Sequence, residues 1–376
     1  MSAYFRTSST TSWGGRIKAS ITAVIFGFSM FFGSFVMLYL NEGRVNVSLI
    51  AKNAIDISAS DAPPANTDQK LVCAKGLFSS DEKIGDEYIY AGEFLVIERT
   101  AEMYAWKEKE TTTTTEGYDG SETKHKEYSY SRGWEESPQN SRNFKISQEH
   151  HNPEKRIASS EKRANKATLG NYSVNMNTVV LPPLEKLNLN TKVVNVHDRL
   201  EIVNDSYLYW GFGSYSRPAI GDIRLSYRIL SNPVANAIIF GNLDAQNKSI
   251  IPHIGMKETT LYRIFATDRA TAISTMQGEY KLLIWLFRIG GFFLMWIGLS
   301  LLFGPISMLL AIIPFFGKIT RAIIGVITFA VSLVLTIITV IISMLLHSPI
   351  ALIISLIGII GFVIWYMKFR TARITA

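Results

Sequence analysis

One cysteine in 376 residues, Cys73, excludes an intrachain disulfide, so any exported part of this chain must be held by its own hydrophobic core. Acid is missing from both ends. Residues 1–40 carry Arg6, Arg16 and Lys18 with no aspartate or glutamate. Residues 282–376 carry Arg288, Lys318, Arg321, Lys368, Arg370 and Arg373, again with no acid. These nine cations exceed the net charge of +7, which leaves residues 41–281 at about −2. The basic balance therefore belongs to the flanks and is not the patch of a nucleic-acid binder. Catalytic signatures are missing too. There is no HExxH, no CxxC, no GxSxG, no Walker A loop and no GxGxxG after a strand.

Two histidine sites deserve weighing against those absences. Glu149, His150, His151 and Glu154 lie together in "EHHNPE". Adjacent residues of a strand point to opposite faces and Pro153 opposes a helix, so an exposed polar loop is expected there and not a zinc site. His197-Asp198 invites a triad reading, but no serine stands in a nucleophile motif. No catalytic residue, metal or cofactor is expected.

What the chain does have is long apolar runs. A helix needs roughly 20 apolar residues to cross about 30 Å of hydrocarbon. Residues 19–40, 282–304, 322–346 and 349–367 meet that length. Lysine and arginine collect on the cytoplasmic side of such spans. The pattern predicts a cytoplasmic N-terminus (1–18), a first span acting as an uncleaved signal anchor, and an exported domain (41–281). A cytoplasmic-side elbow (305–321) then follows the second span, and a cytoplasmic tail (368–376) ends the chain. The expected class is an integral membrane α-helical protein with four spans, one N-terminal and three C-terminal, around a large β-rich α+β domain. Small residues such as Ala23, Gly27, Ser29, Gly33, Gly290 and Gly291 suit close helix packing or are ordinary membrane-helix composition.

Within 41–281, "LVCAKGLF" reads as a strand. Two β-branched and aromatic runs around Asp119-Gly120 read as a long hairpin. Its Tyr104, Trp106 and Trp134 are candidate partner-binding residues. "GDIRLSYRIL" and "NAIIFGNLDAQNKSIIPHIG" read as consecutive strands, and "TTLYRIFATDRATAISTMQGEYK" (259–281) reads as a helix that could run into the second span. In "YKLLIWLFRIGGFFLMWIGLSLLF", Arg288 lies about 8 Å below the outer end of the span. It either snorkels to the headgroups or pairs with Glu42, just beyond the first span.

The order of several motifs carries a resemblance. "TSWGGRI", "NEGR", "EMYAWKE", "YSYSRGW", "NSRNF", "HHNP", "PAIGDIRLSY" and "WLFRIGGFFLMWIGL" follow one another across nearly the whole chain. With the one-plus-three span layout, the chain resembles the LUMA, or transmembrane protein 43, family. The resemblance implies a multi-span membrane protein with a large lumenal or periplasmic domain and no catalytic motif. Animal members sit in the endoplasmic reticulum and inner nuclear membrane, where they organise the envelope with lamina-associated membrane proteins and self-associate. The near absence of cysteine favours a bacterial inner membrane for this chain over those compartments.

Three functions follow as expectations. The first is a non-enzymatic membrane-organising scaffold, with Glu42, Arg44 and Arg288 as membrane-junction residues serving assembly. Its expected partners are membrane lipids, further copies of itself, and membrane or exported proteins. The second is an oligomeric channel or channel regulator, with Arg288 as a basic ring. The third is an exported hydrolase using His150, His151 or His197.

Overall fold

The computed structural model describes residues 4–62, 64–117, 121–195, 200–306 and 314–348. In chain order the elements begin with β1 (Tyr4–Thr11), α1 (Trp13–Glu42), α2 (Val47–Lys52), β2 (Ile55–Ser58), β3 (Leu71–Ser79), β4 (Phe94–Glu116) and β5 (Glu122–Glu135). Next come β6 (Ser160–Arg163), β7 (Ala167–Leu169), β8 (Tyr172–Val174), β9 (Glu185–Lys186), β10 (Leu200–Val203), β11 (Tyr207–Trp210), β12 (Ile223–Ser231) and β13 (Val234–Asp244). Last are β14 (Ser249–Ile251), β15 (His253–Ile254), β16 (Thr260–Leu261), β17 (Arg263–Phe265), α3 (Arg269–Leu302) and α4 (Pro314–His347). The chain divides into two compact units. One comprises Met1–Thr7, Asn46–Thr112 and Lys126–Gln277; the other comprises Ser8–Val45, Thr113–His125 and Gly278–Ala376.

The first unit is β-rich, as expected, and its two largest cores each belong mainly to one sheet. In one, β13, β14, β8, β7 and β3 pair in turn, and β3 pairs back onto β13, which closes a small barrel. Closure removes the open edges that such short strands would otherwise expose. Alternation fills it: β7 and β8 bury every second residue, and Val72, Ala74, Phe78, Leu169, Ile239 and Leu243 meet inside. The second sheet runs β1-β5-β4-β12-β11-β10. Here the period of two is clearest in β12. Ile223, Leu225, Tyr227 and Ile229 enter the core with Ile97, Ala101 and Met103 of β4. Arg224 and Arg228 face the other way, directly opposite Glu102 and Glu98, and pair with them at 2.6 Å. Opposite charges at register positions favour this strand pairing over a one-residue slip.

Residues 4–11 lie in the segment expected as a cytoplasmic N-terminus. They form β1 beside β5, with Phe5 against Tyr128 at 6.2 Å and Arg6 on Glu127 at 3.2 Å. Arg16, another cation of that segment, is 5% exposed and pairs with Glu122 at 3.6 Å. Cys73, elsewhere in the β-rich unit, is buried, with its thiol pushed up to about 12 mainly by burial.

In the second unit, α1, α3 and the 322–347 part of α4 are the three described helices long and apolar enough to cross a membrane. The expected fourth span, 349–367, and the tail 368–376 lie outside the described residues. The expected elbow is partly helix, because α4 starts at Pro314, a favourable first helical residue since it has no N–H to leave unpaired. Ser12 caps α1 by accepting from the Gly15 N–H at 3.3 Å. One face of α1 buries Ser20, Gly27, Ser34 and Asn41, spaced by seven, and α3 answers with Ile284, Gly291 and Gly298 at the same spacing. That is the seven-residue repeat of a helix–helix seam, and the close approach of Gly27 to Gly298 and Leu301 places it between α1 and α3. Of the small residues singled out in the sequence, Gly27 and Gly291 lie in it. At Gly33 an added Cβ would touch nothing within 4 Å.

Candidate functional site

In the β-rich unit the polar face of the second sheet gathers aromatic side chains around one cation. Glu102 and Tyr104 are two apart on β4, and Tyr207 and Tyr209 are two apart on β11, so each pair shares a face. Arg224 on β12 donates to both oxygens of Glu102, at 2.6 and 3.0 Å. Its guanidinium stands 4.8 Å over the Trp134 ring and 4.7 Å over Tyr207. Trp134 meets Tyr104 edge-on at 5.3 Å and stacks near Tyr215 at 6.4 Å. A guanidinium between two rings and a carboxylate is held by attraction to both π-faces and by paired charge-assisted bonds.

Next to this cluster, the loop from Gly211 to Gly221 is organised by Asp222, which is fully buried. Its carboxylate accepts from the backbone N–H of Phe212 at 2.8 Å, Gly213 at 3.1 Å and Ala219 at 2.7 Å, and from the Tyr209 hydroxyl. Burial, then the Asp222 carboxylate, hold the Tyr209 hydroxyl above its ordinary pKa, so it stays a donor. Glycine at 211 is required by close approach, since a Cβ there would stand 2.3 Å from the Asp222 side chain. Between these anchored residues Phe212 stands 78% exposed.

Trp106 belongs to a second cluster. Asn152 accepts from its N–H at 2.7 Å and donates to its carbonyl at 2.9 Å, as a neighbouring strand would. His150 stacks on Tyr130 at 3.8 Å, meets Trp106 edge-on at 4.6 Å, and pairs through Nδ1 with the Ile146 carbonyl at 2.9 Å. Burial, then its bond to Glu108, push the Tyr130 hydroxyl up to about 12. The expectation of an exposed loop is therefore wrong for His150, which is 5% exposed. Its flat ring packs among aromatics and its one polar bond is satisfied locally. His151, Glu149 and Glu154 are exposed or half-exposed, and no metal-holding group occurs among the described residues. His197 lies outside them.

Tyr104, Trp106 and Trp134 are thus half-buried side chains engaged with their own domain. Phe212, at 78%, is far more exposed than these three, and it is not among the candidate residues of the sequence analysis. Its signal was local: "WGFGSY" offers two glycines flanking a phenylalanine, with an aspartate following Gly221.

In the helical unit, Arg288 of α3 donates through Nε and Nη2 to both oxygens of Glu42, each at 2.8 Å. The Glu42 side chain is 4% exposed and that of Arg288 19%. Asn41, one residue earlier, donates to the Ile284 carbonyl at 3.1 Å. Arg44 does not join the pair; its guanidinium lies 4.9 Å over Phe287. His347, at the end of α4, packs 4.5 Å from Tyr39 and closes over Gly43, where a Cβ would stand 2.4 Å from its Nε2.

Apolar helices of membrane length, joined in sequence through a β-rich domain between the first and second, define a membrane-embedded protein. A profile of the transmembrane protein 43 family matches residues 103–349, and the chain belongs to that family. Mouse transmembrane protein 43 is 24% identical over 353 residues, covering 89% of this chain and 86% of the mouse protein. No solved structure matches.

Proposed function

We propose that this protein is a membrane-organising scaffold whose β-rich domain binds protein partners, or a second copy of itself, through the loop that carries Phe212. The observation that supports it is the contrast within that loop: Asp222 is fully buried and Phe212 is 78% exposed. Burying a carboxylate costs several kcal/mol, in the range of about 3–5 when its partners are lost, and four donors offset that here. The return is a loop fixed in place, which presents a phenylalanine without ordering cost on binding. Large side chains on pre-organised backbone are the usual anchors of protein interfaces. Export of the domain, and a bacterial inner membrane as its site, rest on the flanking charges and on the scarcity of cysteine.

A photo-crosslinking residue at position 212, in native membranes, should give discrete protein adducts. The same residue at Val180, which is 52% exposed, serves as the control. An adduct of twice the chain mass identifies self-association, and any other discrete mass identifies a partner. Identical, diffuse products from both positions would overturn the reading.

A further inference from the structure

Between α3 and α4 runs a groove of about 320 Å³, lined by Trp285, Ile289 and Phe292 on one side and Ile337 and Ile341 on the other, with Arg288 at one end. The two helices are antiparallel here: Arg288 reaches Met344 at 3.8 Å, while Ser300 meets Thr328 at 2.9 Å. The groove follows seven residues of α3, about 10 Å. Its walls face outward, with Trp285 59%, Ile337 51% and Ile341 52% exposed. Besides Arg288, its wall includes Thr336, whose hydroxyl donates to Met295 sulfur at 3.6 Å.

We propose that this groove is a phospholipid site, with an acyl chain along Ile289, Phe292, Ile337 and Ile341 and the headgroup phosphate at Arg288. Three observations select that occupant. The groove belongs to two membrane-length helices, so what reaches it carries acyl chains. It is apolar along its length and charged at one end only, as a lipid is. The charged end is a guanidinium whose Nε and Nη2 are fixed on Glu42, so Nη1 is presented in one direction, 5.1 Å from the Trp285 ring to the guanidinium carbon. Basic groups between membrane helices bind lipid headgroups in this way, and tryptophan favours the same depth. Because Glu42 already balances Arg288, recognition rests on a hydrogen bond and on fit. Zwitterionic and anionic headgroups should therefore bind alike.

The test is native mass spectrometry of the full chain, stripped of lipid in detergent and titrated with phosphatidylcholine or phosphatidylglycerol. The wild type should keep one lipid per chain, with affinities for the two lipids within threefold. Ile337→Trp, which fills the groove from an exposed position, should weaken binding at least tenfold. Val326→Trp, at a 70% exposed position on the same helix, should leave it unchanged. Failure of the wild type to retain lipid, or equal loss in both variants, overturns the site. A strong preference for the anionic lipid overturns the part assigned to Glu42. None of these outcomes bears on the Phe212 loop.

Discussion

Gly298→Leu should separate α1 from α3 and abolish the folded helical unit in mild detergent, seen as a shift to aggregate in gel filtration and a melting midpoint lowered by roughly 10 °C or more. A Cβ at 298 would stand 2.6 Å from the Phe31 backbone nitrogen and 3.0 Å from the Gly27 carbonyl oxygen. Both obstacles are backbone, so no rotamer change relieves them and the helix axes must part. Overpacking a tight site costs about 1–3 kcal/mol where side chains can shift, and more where they cannot. Separation would also undo neighbouring contacts in the same seam. A Cβ at Gly291 would meet Leu38 at 2.5 Å, and one at Gly27 would meet Leu301 at 2.9 Å, so the helices touch along at least two turns. Between membrane helices the driving force is this contact itself, because lipid is as apolar as the side chains. Gly298→Ala should already weaken the unit, since the clash begins at Cβ. Gly33→Leu is the control: nothing lies within 4 Å, and the midpoint should stay within about 1 °C. If Gly33→Leu were as damaging as Gly298→Leu, the seam assignment would be wrong.

That contrast also marks how far the sequence could be read. Gly27 and Gly33 look alike in "FGFSMFFGSF", and only the heptad phase of Ser20, Gly27, Ser34 and Asn41 tells them apart. The phase becomes meaningful once the partner helix is known. The strand β12 was legible because a half-buried strand alternates and it does, whereas β3 buries Val72, Cys73 and Ala74 in succession and reads as a strand from its apolar run. The barrel was not, because closure depends on β3 meeting β13 across more than 150 residues and no local pattern encodes that pairing. The helix expected over 259–281 begins only at Arg269; its first part is instead the strands Thr260–Leu261 and Arg263–Phe265, too short for periodicity to reveal. Tyr104, Trp106 and Trp134 stand out in the sequence as aromatics of one hairpin, but their neighbours do not: Arg224, which lies over the Trp134 ring, is 90 residues further on, and His150, which meets Trp106, is 44 residues further on. Phe212 was missed for the converse reason: exposure is a property of the fold around a residue, and here Asp222 sets it.

The Glu42–Arg288 pair was readable from sequence as a possibility, and a double-mutant cycle measures what it is worth. Arg288→Gln leaves the Glu42 carboxylate, 4% exposed, without its cation at the end of a membrane helix. Removing one partner of a buried ion pair typically costs about 3–5 kcal/mol, because the remaining charge is neither hydrated nor compensated. With Arg288 19% exposed, the arginine left by Glu42→Gln can still turn towards water, so that variant should lose less, about 1–2 kcal/mol. The double variant has no stranded charge, and two amides can share a hydrogen bond. Its loss should fall short of the sum of the two by roughly 2 kcal/mol, within the range seen for residues that touch. A snorkelling arginine predicts something else: small separate losses that add, since each side chain would be solvated independently. The asymmetry between the single variants is the sharper discriminator, because only a carboxylate held out of water makes the arginine's removal the costlier of the two. Equal, additive losses from thermal unfolding of the purified protein would show that Glu42 and Arg288 act apart and that the junction owes its order to Asn41 and His347.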